Sequence, residues 1–166
     1  MARVLPDWGT VDPTPVCIAG GPGEEAAPAL ASDAAGGALK WRTVPGEALD
    51  LGRIFNEDPD QMCYASVCVH SDRDREAFLR TDTNDHNRAW LNGRLVHDGV
   101  SGAASSRGFD DYADDIRVRL RKGWNRLLLQ VCNRQTTWMM SAQLTDETGE
   151  PIRDLTFAES AAVEAR

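Results

Sequence analysis

The stretch from Asp115 to Leu120 alternates without a break. Ile116, Val118 and Leu120 are apolar, and Asp115, Arg117 and Arg119 between them are charged. Successive side chains of a strand point to opposite faces, so this order gives one core face and one wet face. In a helix the three apolar residues would spread over about 200° of the circumference, too far apart for one buried stripe.

The two-residue period holds from residue 61 onward. Ala65, Val67 and Val69 share a face, with Tyr64, Ser66, Cys68 and His70 on the other. Ala77, Leu79 and Thr81 alternate against Phe78 and Arg80. Leu127, Leu129 and Val131 form another inward set, and Leu128 interrupts the polar side, so both faces of that strand are expected to be covered. Trp138, Met140, Ala142 and Leu144 share parity, which assigns them to the core. Asn92-Gly93 joins two apolar runs. Both central residues of a type I′ turn need positive φ, which Asn and Gly tolerate, so residues 89–96 are expected to form a hairpin. Charged turns are expected at 71–76 and 146–152.

The N-terminal third has no such period. Residues 18–39 are rich in Gly, Ala and Pro and read as loop, with room for a helical turn at Glu24–Leu30. Leu49, Leu51 and Ile54 fit a short strand or an extended crossing segment, and residues 159–166 a short helix or frayed tail. At least seven strands with turns between them predict an all-β fold, a two-sheet antiparallel β-sandwich of jelly-roll type. One domain is expected over residues 1–160, with an irregular segment at about 9–40 and a tail at 161–166.

Charge narrows the partners. The chain has 26 acidic and 18 basic residues, a net charge of −8, which disfavours nucleic acid. No apolar run is long enough for a membrane span. The first residues lack the apolar core of a signal peptide. The four cysteines, at 17, 63, 68 and 132, form no CxxC pair. Cys63 and Cys68 on one strand would face opposite ways about 16 Å apart, too far for a disulfide. Cys68 and Cys132 meet only if their strands bring them together, and buried free thiols are the preferred reading.

Two loops collect polar side chains. Asp82, Asn84, Asp85 and Asn87 crowd one, and Asp110, Asp111, Asp114 and Asp115 the other. If the loops meet at one end of the sandwich, their oxygens suit Ca2+, which takes six to eight such ligands. The alternative is that they make Asx turns and keep the loops solvated. Trp90, Trp124 and Trp138 can each stack on a sugar ring. Trp124 is expected to cap the core, and Trp90 is the exposed candidate. His70, His86 and His97 show no metal-binding spacing. No nucleophile elbow or phosphate loop occurs, so no enzyme is expected.

Three segments together carry a resemblance: Trp90-Leu91-Asn92-Gly93, Lys122-Gly123-Trp124-Asn125, and the stretch from Trp138 to Ile152. The chain resembles the galactose-binding-like jelly-roll modules appended to bacterial glycoside hydrolases and polysaccharide lyases, and is similar to protective-antigen-type sugar-binding domains. The resemblance implies a non-catalytic carbohydrate-binding module, secreted as part of a larger protein, that holds an oligo- or polysaccharide near a neighbouring catalytic domain. Taken with the two polar loops, it leads to an expected ligand site at Asp82, Asn84, Asp85, His86, Asn87, Trp90 and His97, and Ca2+ at Asn84, Asp85, Asp110 and Asp111. Asn84 and Asp85 stand where the relatives have paired aspartates, and His86 where they have glycine. The alternative is a structural or interaction β-sandwich that does not bind sugar.

Overall fold

The computed structural model describes residues 15–22, 42–45, 49–55, 61–83, 86–100, 114–133 and 139–158. They form eleven strands and one helical turn: β1 (Pro15–Pro22), β2 (Arg42–Pro45), β3 (Leu49–Asp50), α1 (Leu51–Ile54), β4 (Gln61–Ser71), β5 (Arg75–Thr83), β6 (His86–Leu91), β7 (Arg94–Val100), β8 (Asp114–Leu120), β9 (Gly123–Asn133), β10 (Met139–Thr145) and β11 (Thr156–Ala158). The large sheet runs β2-β1-β4-β9-β6-β7, with β11 added to β4, and the small sheet runs β3-β10-β5-β8. Every described pairing between strands is antiparallel.

From β4 onward the chain keeps crossing between the sheets. It goes from β4 to β5, back for the β6–β7 hairpin, over to β8, back to β9 and over again to β10. That is a two-sheet all-β sandwich. Two strands lie where the sequence shows little strand period. β1 falls within the stretch read as irregular, and pairs with β2 and β4 along its length. Its Pro-, Ala- and Gly-rich sequence hides the strand, because a strand held by backbone hydrogen bonds on both sides needs no alternation of its own. Leu49 to Ile54 divides into a two-residue strand and a helical turn capped by Asp50, whose Oδ1 accepts from Arg53 N at 3.0 Å.

The core lies where alternation places it. Ala65, Val67, Val69, Ala77, Leu79, Ile116, Val118, Leu120, Leu127, Leu129, Val131, Met140, Ala142 and Leu144 are all buried between the sheets. On β8, Arg117 and Arg119 point outward and are exposed. The central strands β4 and β9 are buried on both faces, as the Leu128 interruption implies. Leu128 packs with Tyr64 on the outer face of the large sheet, and Trp90 and Cys132 close on the pair. Beside them Gln130 Nε2 donates to Tyr64 Oη at 2.7 Å, and burial pushes the Tyr64 phenol above its ordinary value.

At one end of the sandwich two turns interlock. Leu91 pairs with Arg94 around Asn92 and Gly93, at φ 53° and 79°, the left-handed values a type I′ turn requires. Asn125, 1% exposed, fills the space behind this turn. It accepts from Asn92 Nδ2 at 2.9 Å and from Arg121 N at 3.0 Å, and donates to Arg121 O at 2.8 Å and Gly123 O at 3.1 Å. Trp124, expected to cap the core, instead projects from the outer face. Its parity is opposite to that of Leu127, and it is 44% exposed, held edge-on to His70 at a ring separation of 5.1 Å.

Cys63 and Cys68 sit buried on β4, and Cys132 is partly buried on β9. Cys68 lies opposite Arg126 and Cys132 opposite Met62, so the two are well separated along the β4–β9 ladder. No described helix is long and apolar enough to cross a membrane. The expected turns at Glu24–Leu30 and in the tail lie outside the described residues, as does Trp138.

Candidate functional site

The site residues named from the sequence separate onto three faces. Asp82 shares the outer face of the small sheet with Arg80 and lies opposite Ser141, at 8% exposure. His86 and Trp90 point from the outer face of the large sheet, since Ala89 and Leu91 between and beyond them are core. Of the described ones, only Asn87 and His97 point between the sheets. Asn84, Asp85, Asp110 and Asp111 lie outside the described residues.

The two polar segments nevertheless meet, through residues at their margins. Asp114 opens β8 and pairs with Thr81 of β5, placing its carboxylate at the inner end of the small sheet. Asn87 stands across from it on β6. Asn87 Nδ2 donates to Thr83 Oγ1 at 2.6 Å and reaches Asp114 Oδ2 at 3.5 Å. His97 Nε2 lies 3.3 Å from the same Asp114 oxygen. Thr81, Thr83, Asn87, His97 and Asp114 therefore line the polar end of an otherwise apolar interior.

Two local features aim His97 inward. The β6–β7 ladder shifts register between Ala89 and Trp90, so Val96 is an extra residue in a bulge. With Leu95 facing out, unbroken alternation would also turn His97 out. The bulge reverses that parity and sets His97 opposite Ala89, on the inner face. Gly99 then leaves room for the ring, because a Cβ there would stand 2.2 Å from His97 Nε2.

This end holds more hydrogen-bonding capacity than it uses. Asn87 is 4% exposed and its Oδ1 accepts no hydrogen bond, and Thr81 is 1% exposed with an unpaired hydroxyl. Leaving such groups unmet costs about 1–3 kcal/mol each. Access is through Asp114, whose side chain is 33% exposed, whereas that of His97 is 15% exposed. The arrangement offers acceptors, donors and one carboxylate within a small volume, open to water on one side.

His86 belongs to a separate group on the outer face. Its Nε2 lies 2.8 Å from Asp98 Oδ1, and Arg88 Nε donates to the same oxygen at 3.1 Å. The contacts with His86 and Arg88 hold the Asp98 carboxyl below its ordinary value. Trp90 is partly covered by Tyr64 and Leu128 rather than standing free. Among the described residues no three His, Cys, Asp or Glu side chains converge on a point that would hold a metal.

At the opposite end Arg75 makes a bidentate contact with Asp154, Nη1 to Oδ1 at 2.6 Å and Nη2 to Oδ2 at 2.9 Å, and also bonds Asp72. Arg75 and Asp154 line a groove of about 510 Å³ with Arg73, Glu76, Asp146, Ile152 and Arg153. Its guanidinium and carboxylate groups largely satisfy one another, which suits a clamp between turns better than a ligand site.

Sequence reading missed Thr81, Thr83 and Gly99, and saw Asp114 only as one of four aspartates. Opposed parity on β5 and β8 was the signal: Thr81 lies in line with Leu79, and Asp114 in line with Ile116. Polar residues at core parity mark where an interior turns hydrophilic. No protein-family model matches the chain, and none of the curated proteins matches it.

Proposed function

We propose that the chain is a non-catalytic carbohydrate-binding module, with its sugar site at the polar end of the sandwich. The observation that carries this reading is the pair of buried, unpaired polar atoms, Asn87 Oδ1 and Thr81 Oγ1, beside Asp114 and His97. A sugar hydroxyl both donates and accepts, so adjacent hydroxyls can satisfy an amide oxygen, a threonine hydroxyl and a carboxylate together. A neutral polyol is also compatible with the net charge of −8, which would repel acidic ligands. In this reading the module adds local concentration to an attached enzyme instead of doing chemistry.

Calorimetric titration with neutral oligosaccharides tests the reading, run on the parent chain and on Asp114→Asn and Asn87→Ala. Saturable binding that both changes weaken by tenfold or more supports it, tenfold being about 1.4 kcal/mol and the loss of one buried hydrogen-bond partner costing about 1–3 kcal/mol. Absence of binding across a broad glycan panel rejects it.

The second reading is an interaction domain. Its support is Trp124 and Leu95, 44% and 47% exposed, both on the outer face of the large sheet. Under that reading Asp114→Asn leaves partner binding intact and Trp124→Ala abolishes it.

A further inference from the structure

The contact between His97 and Asp114 is unlike an ordinary ion pair. Nε2 and Oδ2 are 3.3 Å apart, yet buried Nε2 has no hydrogen-bond partner of acceptable geometry. A charged N–H···O⁻ bond closes to about 2.7–2.9 Å. A longer, bent approach is what results when two lone pairs aim at one point between them. Zinc holds imidazole nitrogen at about 2.0–2.1 Å and carboxylate oxygen at about 2.0–2.2 Å, and at a tetrahedral angle two such donors stand about 3.4 Å apart.

Asn87 reaches the same Asp114 oxygen. Its amide nitrogen is 2.6 Å from Thr83 Oγ1 and 3.5 Å from Asp114 Oδ2, while its oxygen has no partner. The two ends of an amide are interchangeable in shape. Turned over, which exchanges the unpaired oxygen for an unpaired Nδ2 and is driven only by the ion, Oδ1 accepts from the Thr83 hydroxyl and takes the place 3.5 Å from Asp114 Oδ2, again a spacing between two ligands of one ion. Thr83 then orients the ligand from behind, as outer partners do in metal sites.

We propose that His97, Asp114 and Asn87 form an open site for a divalent transition ion of the zinc type, with its fourth position on the exposed side of Asp114. The nitrogen donor and the small number of ligands select such an ion over Ca2+, which takes six to eight oxygens. One imidazole, one carboxylate and one amide hold the ion loosely, in exchange with water. This goes beyond the sugar reading and does not need it: it makes Asn87 Oδ1 a metal ligand where the sugar reading makes it an acceptor for a hydroxyl, and a sugar hydroxyl would instead fit the fourth position.

The test is titration of the full chain with Zn2+ by calorimetry and with Co2+ by visible absorption. One saturable site is expected, with Co2+ ligand-field bands and no thiolate charge-transfer band, which excludes the cysteines. His97→Gln and Asp114→Asn should each weaken binding at least tenfold. Asn87→Asp should strengthen it at least tenfold, because a carboxylate replaces an amide, while lowering the metal-free melting temperature by crowding two carboxylates. No saturable binding in the parent chain, binding undiminished in His97→Gln, or no gain in Asn87→Asp overturns the proposal. Glycan titrations in a chelator run beside these: sugar binding without any zinc site removes the ion and keeps the module, and zinc binding without sugar does the reverse.

Discussion

Asn92 and Asn125 hold each other across two turns. Asn92 Nδ2 donates to Asn125 Oδ1 at 2.9 Å, and Asn92 Oδ1 accepts from Arg126 N at 2.9 Å. The Asn-Gly hairpin and the Lys-Gly-Trp-Asn turn, separate in sequence, are thus one hydrogen-bonded unit. Asn125→Ala strands several buried partners at once and should destabilise the fold by about 2–4 kcal/mol in urea titration. A double-mutant cycle with Asn92→Gly, which keeps the turn conformation, should show coupling of about 0.5–3 kcal/mol. Additive effects would mean that the two side chains act independently.

Thr81→Val should stabilise the free protein. The hydroxyl is buried and unpaired, and a methyl of similar size removes its desolvation cost, a gain of about 1–3 kcal/mol at most. The same change should weaken glycan binding. A melting temperature that falls would show that the hydroxyl is satisfied in solution.

Gly99→Ala should empty the pocket of its imidazole. The added Cβ would overlap His97 Nε2, so the ring must swing away from Asp114. Ligand affinity should drop about tenfold or more, with little change in secondary structure by circular dichroism. Unchanged affinity would place the ligand elsewhere.

Acid should loosen the end where the Asp72–Arg75 turn meets Asp154. Hydrogen bonding to Arg75 holds the Asp154 carboxyl below its ordinary value of 3.8. A group depressed in the folded state contributes stability that is whole above its unfolded value and lost as pH falls through the folded one. The loss therefore begins as pH drops past about 4, and because Asp154 is half exposed it is small. Asp154→Asn should flatten this part of the acid stability curve. An unaltered curve would mean that the pair contributes nothing in solution.

Trp124→Ala should change stability by less than about 1 kcal/mol, since the side chain is nearly half exposed and meets His70 edge-on. Its removal should take away a red-shifted component of the tryptophan emission. A large loss of stability would return Trp124 to the core.

The alternation of Ile116, Val118 and Leu120 is enough to place β8, and the extra apolar Leu128 announces the second packed layer over β9. These features are legible because burial acts on side chains at a fixed period. β1 is not legible, because backbone pairing with β2 and β4 holds it. The site is half legible for a related reason. Proximity in sequence groups Asp82, His86 and Asn87, but successive residues of a strand face opposite ways, so neighbours in the chain separate in space. What meets instead is Thr83, Asn87, His97 and Asp114, drawn from four strands and both sheets.

The bulge at Val96 carries a consequence for how β7 is locked. Were the strand to straighten, His97 would turn outward and Asp98 inward. A bare carboxylate would then face Asp114 in a poorly hydrated interior, and His86 and Arg88 would lose the oxygen they now share. Charge on both sides of one strand thus selects between two ladders that the Asn92-Gly93 turn alone would permit. Neutralising Asp98 would leave the β7 backbone free to choose.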